Sequence, residues 1–260
     1  MTIDSLMLFA PAETSTPGSG ATAYAVSLAK VLNARLSIFV VALDVTSPER
    51  KADAVAVAAA ICASAEAAGV DCRTVTDHSH AIGVHEVVAE HARMHDLTVT
   101  GCSGDGLLSE RQIAEYLLFG SGRPVLIVPS RHTAPFVPGR TVVAWDNTSM
   151  AARALGDARA LLGDGQTVLL TIDGDKHLRG DLDSDEITTL ASRRGLRVRL
   201  HSVHRGNRSI ADALQEEARL FDAELLVMGA YGHSRVSRFV LGSATVGVLE
   251  NLQLPALLSH

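Results

Sequence analysis

The chain has 260 residues, 47% of them hydrophobic and 20% charged, an ordinary globular composition with room for one large domain or two small ones. Its formal net charge of −6 excludes the broad electrostatic attraction that nucleic acid or anionic lipid requires. Three cysteines without a CxxC (Cys62, Cys72, Cys102) and an opening Met1-Thr2-Ile3-Asp4 without a basic n-region point to a cytoplasmic protein.

Taken in chain order, Leu6 to Phe9 reads as a strand, Ala21 to Leu32 as a helix and Leu36 to Ala42 as a strand. Ala52 to Ala68 is alanine-rich but interrupted by Asp53, Ser64 and Glu66, so it is a packed helix and not a membrane span, ended by Gly69. Val70 to Thr76 is a strand, Val84 to Met94 a helix, Leu97 to Thr100 a strand, Arg111 to Phe119 a helix, and Pro124 to Val128 the last strand of this half. Pro129 to Arg140, with Pro135, Pro138 and Gly139, breaks both periodicities and reads as a link.

The same order then repeats. Thr141 to Trp145 is a strand closed by Asp146-Asn147-Thr148-Ser149, and Ala151 to Leu162 a helix with Ala154, Leu155, Ala158 and Leu162 on one face. Thr167 to Ile172 is a strand, Asp183 to Arg194 a helix, and Arg197 to Val203 an alternating strand. Ser209 caps a helix over Ile210 to Phe221, Glu224 to Met228 is a buried strand, Ala244 to Leu252 a helix, and Pro255 to Leu258 a short closing strand. Strands alternating with helices predict parallel sheets covered on both faces, here as two α/β domains over residues 1–130 and 139–260.

Between the last buried strand and its helix lies Gly229 to Ser243, GAYGHSRVSRFVLGS, with glycines at 229, 232 and 242. Such a loop lets backbone approach phosphate oxygens, and the helix N-terminus adds unpaired N–H groups and a favourable dipole. Arg235, Arg238 and His233 lie within it, either as phosphate neighbours or as exposed loop residues. Strand, G-x2-G-x9-G-S, helix and a proline-containing last strand resemble the universal stress protein family, closely in the second half and by element order in the first.

That resemblance implies five parallel strands per domain in the order 3-2-1-4-5, pairing of the two domains within the chain or in a homodimer, and ATP as the ligand, with magnesium only alongside the nucleotide. Carried over, Gly229, Gly232, Gly242 and Ser243 match phosphate-contacting positions, with Ala244 the next helix residue. Asp146 matches the acidic residue near the ribose, and Ile172 the position whose backbone meets adenine. The first half departs from the pattern. Its first strand ends Phe9-Ala10-Pro11 without an aspartate, and Gly120-Ser121 falls past the helix it should open. A nucleotide-free partner domain is expected there.

Other patterns compete. Gly18-Ser-Gly20-Ala-Thr-Ala23 fits GxGxxA, but eight residues separate it from the preceding strand, too many for a pyrophosphate turn. His78, His80, His91 and His95 have spacings compatible with a metal, yet nothing completes a ligand set, and they read as surface histidines, as does His85. Asp181 to Glu186 lacks the glycine and distal glutamate of a calcium loop. Nothing basic beside Cys102 argues for a reactive thiol. No triad or carboxylate pair supports more than slow ATP hydrolysis. The expectation is an adenine-nucleotide-binding stress protein, with a nucleotide-free interaction scaffold of the same fold as the alternative. Gly232→Val is expected to abolish ATP binding in calorimetry while leaving the circular dichroism spectrum unchanged, because a side chain would stand where phosphate must sit.

Overall fold

The computed structural model describes residues 2–11, 15–43, 48–79, 83–104, 109–163, 165–173, 184–193, 195–230 and 242–260. The chain divides into two compact units, Thr2–Val137 and Pro138–His260.

In the first unit the elements run β1 (Ser5–Phe9), α1 (Gly20–Leu32), β2 (Arg35–Leu43), α2 (Pro48–Ala67), β3 (Cys72–Ser79), α3 (Val84–Arg93), β4 (Leu97–Gly101), α4 (Glu110–Gly120) and β5 (Val125–Val128). All neighbouring strands pair in parallel, in the order β3-β2-β1-β4-β5. The second unit repeats this with β6 (Thr141–Ala144), α5 (Ser149–Ala158), β7 (Thr167–Asp173), α6 (Ser184–Arg193), β8 (Val198–His204), α7 (Ile210–Leu220), β9 (Leu225–Gly229), α8 (Ser243–Glu250) and β10 (Ala256–Ser259). Its order is β8-β7-β6-β9-β10, again all parallel. Each unit is thus an open α/β sheet in the predicted 3-2-1-4-5 order. Right-handed crossovers running outward in two directions from the first strand place helices on both faces. Accordingly α3 packs on α4, and α7 on α8.

Every residue of β4 and β5 is buried, as expected for strands covered on both sides. Asp96 ties the starts of β1 and β4 together. Burial alone would raise its carboxyl, but hydrogen bonds from Asp4 N, Ser5 N and Ser5 Oγ, at 3.0, 3.0 and 2.9 Å, hold it below the usual carboxylate range.

The link and His95 differ from the sequence reading. The stretch read as a link folds onto α1 as far as Val137. Phe136 is buried, its N–H donates to Ser27 Oγ at 2.7 Å, and Tyr24 meets the rings of His132 and Phe136 edge-on at 5.4 and 5.7 Å. This also explains Gly20 in the apparent fingerprint, because a Cβ there would stand 2.5 Å from the His132 carbonyl oxygen. The glycine makes room for protein backbone, not for pyrophosphate.

His95 is the second difference. Far from lying on a surface, it is only 4% exposed. Its Nδ1 lies 2.8 Å from the His91 carbonyl, while Nε2 is buried without a hydrogen-bond partner among the described residues. Burial, helped by the nearby Arg73 and His91, pushes its pKa below the ordinary value, and burial does the same at His132. Both rings therefore take up protons more readily in the unfolded chain. Stability from this source is complete above about pH 6.5 and declines as pH falls below it. Urea unfolding at pH 7.5 and pH 5.5 should show a lower midpoint at the acidic value, with a smaller difference in His95→Gln.

Candidate functional site

The cleft is built where β6 and β9 end side by side. After β6 the chain stays on the sheet for one more residue, Trp145 N donating to Leu170 O at 2.8 Å, and then turns into α5. Asn147 makes the turn in the left-handed region at φ 58°, which asparagine tolerates better than most residues. Thr148 caps α5, its Oγ1 accepting from Ala151 N at 3.2 Å. The same hydroxyl donates to Asp146 Oδ1 at 2.6 Å, and Thr148 N reaches that oxygen at 3.2 Å. One carboxylate oxygen is thereby fixed to the helix start, holding an exposed aspartate in a defined orientation. Across the cleft, Thr171 Oγ1 donates to Trp145 O at 2.9 Å and ties the end of β7 to this turn.

On the β9 side, Gly229 closes the strand against the first turn of α5. A Cβ on it would lie 2.7 Å from both the carbonyl carbon and the Cβ of Met150. The glycine is thus needed for helix–strand contact, a structural role that the phosphate assignment did not include. Gly242 is the N-cap of α8 at φ −64° and ψ 151°, with no side chain to bond the first-turn N–H groups. By contrast α4, α5 and α7 are capped by the side chains of Ser109, Thr148 and Ser209. The position of α8 is set from behind. A Cβ on Gly247 would come within 2.8 Å of the Ala211 methyl on α7, and Gln253 N donates to Gln215 Oε1 at 2.9 Å.

These elements line a cleft of about 140 Å³ that opens to solvent. Asp146, Ile172, Gly229, Gly242, Ser243 and Ala244, all singled out in the sequence, line it together. Gly232, with Tyr231, His233, Arg235 and Arg238, lies outside the described residues. Sequence reasoning missed Trp145, Thr148, Thr171 and Met228, and the α7 side chains Ile210 and Leu214 that close the apolar wall. Their i, i+4 spacing puts Ile210 and Leu214 on one face of α7, but only the crossover brings that face to the strand ends. The arrangement is an apolar slot with a fixed carboxylate on one side and an open helix N-terminus on the other.

The remaining candidates separate. His91 Nε2 sits 3.2 Å from Asp77 Oδ2, and its ring lies against Phe39 at 4.4 Å. His85, read as solvated, is half-buried with its ring 5.1 Å from that of Tyr116. Among the described residues no three His, Cys, Asp or Glu side chains gather as a metal set. Burial pushes the Cys102 thiol up to about 11, so it stays protonated near neutral pH. His80 and residues 181–183 of the acidic stretch lie outside the described residues. No helix among those described is long and apolar enough to cross a membrane.

Residues 139–260 match the model of the Universal stress protein family. The fold of the chain is similar to that of a universal stress protein from Archaeoglobus fulgidus, with a TM-score of 0.76 at 17% identity, covering 97% of this chain and 95% of that one. It is also similar to a functionally unknown protein from Pseudomonas aeruginosa, at 0.66 and 15%, covering 99% and 92%. The cytoplasmic domain of a prokaryotic cation chloride cotransporter follows at 0.52 and 8%, covering 99% and 95%. Identities this low speak for the fold alone. No curated protein matches the sequence.

Gly229→Ala is expected to destabilise the protein by about 1–3 kcal/mol, since its methyl group must displace Met150. Urea denaturation measures it. Unchanged stability would mean that α5 yields freely at this contact.

Proposed function

From the premise that residues 139–260 are a domain of the universal stress protein family, we propose that the second unit binds an adenine nucleotide, ATP, in the cleft between β6 and β9, as a regulatory or stabilising ligand. The observation that carries this reading is the start of α8. Gly242 offers the first-turn N–H groups no side-chain cap, and Gly242, Ser243, Ala244 and Thr245 line the cleft that Asp146 and Ile172 share. A chain of net charge −6 has no general attraction for a triphosphate, so the attraction must be local. A helix N-terminus provides it. Phosphates would lie against Gly242 to Ala244, ribose hydroxyls against the Asp146 carboxylate, and the base in the slot near Ile172 and the apolar wall. Gly232 belongs to this reading as a phosphate contact from the loop.

Among the described lining residues Asp146 is the only ionisable side chain. We read the nucleotide as held, any magnesium arriving with it. A ligand that binds the folded state stabilises it, by about 2.7 kcal/mol at a hundred times its dissociation constant. The first unit is read as a nucleotide-free partner domain, and the protein as cytoplasmic on its sparse cysteines, which form no disulfide among the described residues.

Trp145, the chain's single tryptophan, lines the cleft and supplies the assay. Titration with ATP is expected to change its emission, saturating at about one nucleotide per chain in parallel calorimetry. Asp146→Ala should weaken binding by about 1–2 kcal/mol, roughly five- to thirty-fold. No heat and no change in emission would overturn the reading.

A further inference from the structure

Both units end their fourth strand on glycine, Gly101 in β4 and Gly229 in β9. The connections that follow differ in length: eight residues, 102–109, lead to α4, and thirteen, 230–242, lead to α8. The shorter one brings the first residue of α4 back over the strand end. Ser109 caps this helix, its Oγ accepting from Gln112 N at 3.2 Å. Glu110 then turns its carboxylate toward β4, where Oε2 accepts from Ser103 N at 3.0 Å and from Ser103 Oγ at 2.5 Å. That carboxylate occupies the space a Cβ on Gly101 would need. The side-chain-free strand end of the first unit is therefore filled by the chain's own anion.

We propose that Glu110 is a built-in anion that closes the strand-end site of the first unit, making it a self-occupied counterpart of the open site at α8. A backbone N–H and a hydroxyl are donors a phosphate oxygen would take, and here a carboxylate takes them beside a helix start that Ser109 caps. A second anion would meet a like charge and an occupied volume. The proposal rests on the reading of the α8 start as a phosphate site. It adds that an internal carboxylate closes the first unit's site, beside the displaced Gly120-Ser121. Where α8 begins with Ser243, α4 begins with Glu110.

The test is a titration of the full 15N-labelled chain with inorganic phosphate, following the amide resonances of Gly101 and Ser103. Wild type should show no saturable shift there. Glu110→Ala should show one, with apparent affinity at least about tenfold above wild type. It should also melt at a lower temperature than wild type in chloride and recover in phosphate of equal ionic strength. Glu110→Gln, which keeps the volume without the charge, should bind no phosphate. If Glu110→Ala folds only in phosphate, that is the expected rescue in its strongest form, and Glu110→Ser supplies a second variant for the titration. Saturable shifts at Ser103 in wild type, or alanine and serine variants that bind no phosphate, would overturn the proposal. Trp145 lies in the second unit and reports ATP there independently, so a silent Trp145 sinks the nucleotide reading while the Ser103 result stands on its own.

Discussion

The cleft depends on one constraint: β6 and β9 lie hydrogen-bonded in parallel, while the helices that follow them leave toward opposite faces of the sheet. Two helix starts must then flank one gap. Gly229 sets how narrow that gap is, because only a residue without a side chain lets the first turn of α5 sit against the end of β9. Gly247 does the same for α8 from the other side, letting it settle against Ala211 on α7. Two of the glycines in this region thus serve packing. Their effect on any ligand is indirect, through where they place the helix starts.

The two helix starts are treated differently. At α5 the chain satisfies its own donors, with the Thr148 hydroxyl accepting from Ala151 N while donating to Asp146. At α8 it does not, since Gly242 has nothing to offer. The cleft therefore has one end already supplied with negative charge and one end left to seek it. On the proposed reading this polarity orients the nucleotide, sending ribose hydroxyls to the acceptor and phosphates to the donors. The first unit differs at the helix that follows its fourth strand, where Ser109 caps α4. It has the same strand order and the same glycine at the end of its fourth strand, but a carboxylate of its own at the helix that follows.

Much of this architecture was legible in the sequence. Apolar runs such as Leu225 to Met228 marked buried strands directly, because a parallel strand covered on both faces has no reason to alternate. The candidate residues at the ends of these runs, supplied by the family resemblance, line one cleft because a parallel sheet brings its strand ends together. Boundaries were harder. The helix expected to reach Leu162 stops at Ala158, yet Leu161 and Leu162 remain buried, so apolar spacing continued after the helix ended. Pro48 begins α2 well ahead of the alanine run, although proline at a first helical position was a usable sign. His95 was also within reach, as it extends the buried stripe of Val84, Val88 and Ala92 by one more turn. What could not be read was tertiary: the linker carbonyl over Gly20, the Met150 backbone beside Gly229, and the Glu110 carboxylate over Gly101.

Those three contacts explain why a glycine pattern alone is a weak guide to a phosphate site. Each of these glycines has a close neighbour in the space of its missing Cβ, and in every case the neighbour is the protein itself. A glycine that clears a path for backbone and one that clears a path for phosphate look alike in one dimension. The difference lies in whether donors nearby are already engaged. At Gly20 the approaching group is a carbonyl, at Gly101 a carboxylate that takes the local N–H and hydroxyl, and at Gly229 a helix turn. At Gly242 the chain supplies neither a side chain nor a cap, and the helix start faces the cleft. The fold is common to proteins as different as a universal stress protein and a cotransporter domain, so it cannot decide function. On the proposed reading the state of the donors at the ends of β4 and β9 does, and it differs between the two units despite their shared strand order.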